Sequence, residues 1–189
     1  MKEKVTKRDI LNSASLSGAV LGGVTIGASL ISQNMAGVSS SFLIMMVTAL
    51  LWTAKFIGCI YIMRHFMKKL TEDYSGASNG DTFRQGIYAA LFSAILIAAY
   101  NYLYLSVINP EYVENTMNTM YTLYQGMLDS NSLAMLEKMA SMNLAAITSL
   151  SQLVYCFLYG TILSSILSRN VPSRNPFMQM DDNQEGSEN

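Results

Sequence analysis

Apolar residues run along this chain in long blocks that are free of charge. From Ile10 to Ala54 there are 45 residues without Asp, Glu, Lys, Arg or His, and Gln85–Pro110 and Met139–Ser168 are two further uncharged stretches. A helix that crosses a bilayer needs about 20 mostly apolar residues. Each stretch is long enough, and the first has room for more than one crossing. The pattern predicts four spanning helices, at about 12–32, 42–63, 86–108 and 144–167. QNMAGVSSS, a neutral polar loop, separates the first two.

Between the third and fourth spans the period changes. INPEYVENTMNTMYTLYQGML opens with Asn109 placed to cap a helix, Pro110 at its first position, and Glu111 and Glu114 near its positive end. Val113, Met117, Met120, Tyr124 and Met127 then recur at spacings of three and four, and after DSNS the spacing resumes with Leu133, Leu136 and Met139. This predicts an amphipathic helical hairpin over 109–142, outside the membrane. Its apolar faces can pack on each other, on the bilayer surface or over the bundle, or can serve as an adaptable, methionine-rich binding surface.

Charge fixes an orientation. Lys2, Lys4, Lys7 and Arg8 precede the first span; Arg64, Lys68, Lys69 and Arg84 lie between the second and third; Arg169 and Arg174 follow the fourth. Basic flanks stay in the cytoplasm, so both termini and residues 64–84 are expected there and 109–142 outside. A cleaved signal peptide is the competing reading of the N-terminus, but the first apolar run exceeds the roughly 7–15 residues of a signal core. Mean hydropathy is only +0.26, because the charged flanks dilute the spans. Residues 1–170 are expected to form one transmembrane domain, and 171–189, with two prolines and late acidic charge, a disordered cytoplasmic tail. Cys59 and Cys156 fall inside spans, and His65 is the only histidine, so no metal or cofactor is expected.

A few side chains stand out within the spans. Lys55 lies eight residues inside Met63, about 12 Å at 1.5 Å per residue, near the middle of a ~30 Å core. It is expected to face the bundle interior or a helix seam, meeting Tyr159, Ser93 or water. Asn101 and Gln152 are expected at similar depth, where a mutual hydrogen bond would satisfy both. In the first span Ala14, Gly18 and Gly22 form one ridge of small residues, and Ser15, Ala19, Gly23 and Gly27 the next. Such ridges let a second backbone come close. The short loop to the second span makes that hairpin partner the expected one, ahead of a second copy.

DTFRQGIYAALFSAILIAAYNYLYLSVINPEYVE places Phe83 and Gly86 at the start of the third span and Asn109-Pro110-Glu111 at its end. A methionine-rich acidic segment and a last span follow. This order of features resembles the domain-of-unknown-function 4199 family, small inner-membrane proteins of Bacteroidota. The resemblance implies four spans in a bacterial cytoplasmic membrane and assigns no activity.

The fold expected is an all-α, integral-membrane four-helix bundle with an extracytoplasmic amphipathic helical hairpin between spans three and four. No Asp or Glu falls within a span, and the hydroxyls there have no base beside them. The expected role is therefore non-enzymatic: a structural, assembly or accessory subunit. A small channel or transporter using Lys55, Asn101 and Gln152 is the alternative. The partners expected are the lipid bilayer, a membrane or envelope protein and, for oligomerisation, a second copy. No nucleic acid is expected.

Overall fold

Two helices start on the same short pattern. In TKRD, Thr6 Oγ1 donates to Asp9 Oδ2 at 2.6 Å while Asp9 N donates back to Thr6 Oγ1 at 3.3 Å. In SNGD, Ser78 Oγ donates to Asp81 Oδ2 at 2.8 Å and Asp81 N to Ser78 Oγ at 3.3 Å. These are reciprocal capping boxes with Asp in the place of the usual Glu. Each satisfies backbone donors that the first helical turn cannot satisfy itself, and adds a negative charge at the positive end of the helix.

The computed structural model describes residues 5–36, 42–74, 76–124, 129, 131–132 and 143–171. The elements are α1 (Lys7–Ala36), α2 (Phe42–Asp73), α3 (Asn79–Leu103), a π-helical turn (Tyr104–Ile108), α4 (Pro110–Tyr124) and α5 (Leu144–Asn170). All are helical, and four helices are long and apolar enough to cross a membrane. The fold is the all-α one expected. The second arm of the outer hairpin, with Leu133, Leu136 and Met139, lies outside the described residues, as do residues 172–189. Asp129 accepts from Ser132 N at 3.2 Å, and its hydrogen bonds with the Ser132 side chain and backbone hold its carboxyl below the usual carboxylate range.

Two details differ from expectation. α2 continues to Asp73, ten residues beyond Met63. Charge ends the apolar run there but not the helix, because Met63, Met67 and Leu70 keep one buried face at spacings of four and three. α4 does start at Pro110, but the Asn109 side chain does not cap it. Its Nδ2 donates to Tyr104 Oη at 3.4 Å, while Asn109 N closes the π turn on Tyr104 O at 2.8 Å.

The chain forms two compact units. The first comprises α1, α2, α3 as far as Leu96, and α5 from Cys156. It is a four-helix bundle in which α3 meets both α1 and α5, through two adjacent ridges of mostly small side chains. Gln85, Ala89 and Ser93 form the ridge that meets α1; Gly86, Ala90 and Ala94 form the ridge next to it, whose Gly86 and Ala90 meet α5. All six are buried. A Cβ on Gly18 would come 2.7 Å from Phe92 Cβ, and one on Gly160 would come 2.5 Å from Ala90 Cβ. The bulky residues point outward: Leu16, Leu50, Trp52, Ile57, Tyr61, Leu158 and Ile162 are all exposed. Small and polar residues in the seams, with many bulky apolar residues facing outward, suit lipid. This is a membrane protein.

The second unit, Ile97–Tyr155, holds the end of α3, the π turn, α4 and the start of α5. Asn143 caps α5, its Oδ1 accepting from Ala146 N at 3.1 Å.

Candidate functional site

In the first unit the helix ends that carry the basic residues gather together. Val5, just ahead of α1, packs on Leu70, Tyr74 and Ala77 beyond and along the end of α2, and Leu167 and Val171 at the end of α5 pack on Met63 and Met67. The start of α1, the end of α2 and the end of α5 therefore share one end of the bundle. Gln85 bonds to Ser13 there, which adds the start of α3. Lys7, Arg8, Arg64, Lys68, Lys69, Arg84 and Arg169 all belong to that end. Lys68 pairs with Glu72 at 3.5 Å on the exposed extension of α2, worth roughly 0.3–0.5 kcal/mol.

Just inside this end lies a polar pair. Gln85, 1% exposed, donates from Nε2 to Ser13 Oγ at 2.7 Å, and its Oε1 is buried without a partner among the described residues. Turning the amide over would only exchange which end is paired. Ser17 and Ser164, both buried, return their hydroxyls to their own helices at Ala14 O and Gly160 O. Sequence reasoning missed Gln85 because it stands at the edge of an uncharged stretch and reads as a helix boundary. The available signal was its place on the Ala89 ridge. Ser13→Ala should strand both ends of the amide and lower stability by about 1–3 kcal/mol. Gln85→Met, which removes the polar group itself, should be close to neutral. Thermal unfolding of both variants in detergent reads the difference.

The expected small-residue face is half occupied. Ala14, Gly18 and Gly22 pack against α3: a Cβ on Gly22 would meet Leu96 Cβ at 3.2 Å. Gly23 and Gly27 meet nothing within 4 Å, so their ridge, about 100° further around the helix, is not a packing face among the described residues. The backbone that comes close is α3, although α1 and α2 also touch as the hairpin requires. Gly86 and Gly160 let α3 and α5 meet; in the sequence Gly86 marked only the start of the third span, and Gly160 was not singled out.

Lys55 is half-buried on α2. One turn further along the same face, Cys59 Sγ lies 3.9 Å from Thr25 Oγ1 of α1. Tyr159 packs its ring on that of Phe56, the neighbour of Lys55, with centroids 5.5 Å apart. Ser93 is buried in the α1–α3 seam against Gly18 and Gly22. Asn101 and Gln152 both belong to the second unit, and both are half-buried.

The second unit also has an open groove of about 370 Å³. The π turn supplies Leu105 and Ser106, α4 supplies Val113, Glu114, Met117 and Asn118, and Asn143 and Leu144 close it. Val113 and Met117 are the apolar positions that the spacing assigned to one face of α4. Glu114 is the carboxylate on the groove wall. Amides and an apolar floor around it can hold a polar, extended segment.

A family model described as "Protein of unknown function (DUF4199)" matches residues 14–169. No curated protein matches, and no solved structure matches.

Proposed function

The chain belongs to the DUF4199 family, whose function is unknown, and from that premise we propose that it is a non-enzymatic accessory or assembly subunit. In this reading it crosses a bacterial cytoplasmic membrane four times and offers its outer helical segment to an envelope or membrane partner. The observation that carries the proposal is α4: an amphipathic helix outside the long apolar helices, with Tyr112 and Leu123 exposed and Val113 and Met117 lining a groove. Helix ends that bring the basic residues to one end of the bundle support cytoplasmic termini. A channel or transporter is the second reading, favoured by the half-buried Lys55, Asn101 and Gln152 within apolar helices.

Two measurements test this. With Cys59 and Cys156 replaced, a cysteine at position 118 should react with an impermeant thiol reagent in intact cells, and one at position 76 should not. The reverse pattern overturns the orientation. Gentle solubilisation should recover an envelope protein in stoichiometric amount, held through α4 and released by charge substitutions at Val113 and Met117. Solute flux through liposomes containing this chain alone would instead establish the transport reading.

A further inference from the structure

We propose that Lys55 is a docking point inside the bilayer for the spanning helix of another membrane protein, one that carries a carboxylate at mid-depth. This rests on the accessory-subunit reading and adds the chemistry of the partner. Lys55 is eight residues from Met63 and thirteen from Phe42 on one continuous helix, about 12 and 20 Å at 1.5 Å per residue. Both distances exceed the reach of a four-carbon stem, so the ammonium cannot simply escape to water. At such depth a cation requires a counter-charge or a polar enclosure.

The described residues supply no counter-charge. Cys59 one turn along, Thr25 beside it, Phe56 next in the chain and Tyr159 packed on Phe56 are all neutral, and Lys55 takes part in no ion pair among the described residues. From Ile10 to Thr71 there is no Asp or Glu, and Gln85–Pro110 and Met139–Ser168 hold none either. No described residue supplies the counter-charge, and a partner helix that carries one can. A second copy would bring another lysine and again no carboxylate. A lipid phosphate sits at the bilayer surface, too far above Lys55.

The surface around Lys55 is open to such a helix. Only 6% of the α2 apolar window is buried, against 28% for α1 and α3. Trp52, one turn before Lys55, is 60% exposed, and Leu50 and Ile57 are exposed as well. A helix laid across Trp52 would bring its own side chains to the ammonium. Carboxylate and ammonium would then neutralise each other where neither is stable alone.

The test uses the full-length protein in phosphatidylcholine vesicles, with fluorescence energy transfer to a synthetic helix of about 20 leucines. One version of the peptide has Asp at its centre, the other leucine throughout. The Asp peptide should associate about three- to thirtyfold more strongly, the range of polar contacts between helices in membranes. Lys55→Met should remove that preference and Lys55→Arg should keep it. Lys55→Asp should transfer it to a peptide with a central Lys, which distinguishes docking from a folding defect. Equal binding of the two peptides to wild type, or a preference that survives Lys55→Met, overturns the proposal. So does loss of the preference when phosphatidylglycerol is added, which would assign the counter-charge to a lipid headgroup. Any of these failures leaves the outer-segment reading standing, because that is tested through α4.

Discussion

Gly18→Leu should collapse the thermal stability of the protein in detergent, while Gly23→Leu, five residues along the same helix, should behave like wild type. At position 18 even the first carbon would sit 2.7 Å from Phe92 Cβ and 2.8 Å from the carbonyl oxygen of Ala89. These atoms belong to the α3 backbone or are fixed directly to it, so no side-chain rotation relieves the clash. The helices would have to separate. Overpacking of this kind costs typically 1–3 kcal/mol for a few methylenes, and a leucine against backbone stands at about 3 kcal/mol or above. Gly23 has nothing within 4 Å, so its leucine would lie in lipid. Equal melting temperatures for the two variants would show that α1 does not meet α3 through this ridge.

Gly160→Ala should destabilise the α3–α5 seam by about 1–3 kcal/mol, and Ala90→Gly in the same chain should restore most of it. The added methyl would fall 2.5 Å from Ala90 Cβ and 3.3 Å from its Cα. Removing the facing methyl returns the missing volume. Residues in direct contact are expected to couple in this way, whereas distant ones add independently. Ala90→Gly alone should cost roughly 1 kcal/mol through lost helix propensity. A double variant no more stable than the sum of its singles would mean that the two positions do not touch.

These two predictions mark where the sequence was legible and where it was not. The spans could be read because lipid imposes a length and excludes charge; three predicted spans lie within one observed helix each, and the third runs from α3 through the π turn. The Ala14–Gly18–Gly22 ridge was legible from composition. Its partner was not, because the adjacent α2 is the obvious neighbour in a chain and nothing local points to α3. The same reasoning applied to Gln85–Ala89–Ser93 and Gly86–Ala90–Ala94 would have marked α3 as the helix with two packing faces. It was hidden because serine, alanine and glycine scattered among leucines and isoleucines look like filler. Gly23 and Gly27 meet nothing among the described residues, because smallness permits a close approach but does not impose one. Lys55 was legible at once as an ion in the wrong solvent. Its surroundings required three dimensions, since Thr25 lies 34 positions from Cys59 in the chain. Gly126, a glycine of the outer segment, lies outside the described residues.

That α3 meets both α1 and α5 also sets an order of events during synthesis. The glycine face of α1 is made first, and its mate at Ala89–Leu96 emerges about 70 residues later, some 4–14 s at a translation rate of roughly 5–20 residues per second. Through that interval α1 and α2 stand in the membrane as a hairpin whose close-packing surface is bare. α5 comes later still, so the seam between Ala90 and Gly160 closes last. A ribosome stalled after α2 would thus leave an inserted but incomplete pair of helices, with Gly18 and Gly22 facing lipid. Such a fragment should be cleared by membrane proteases, and supplying α3 and α5 as a separate chain should rescue it.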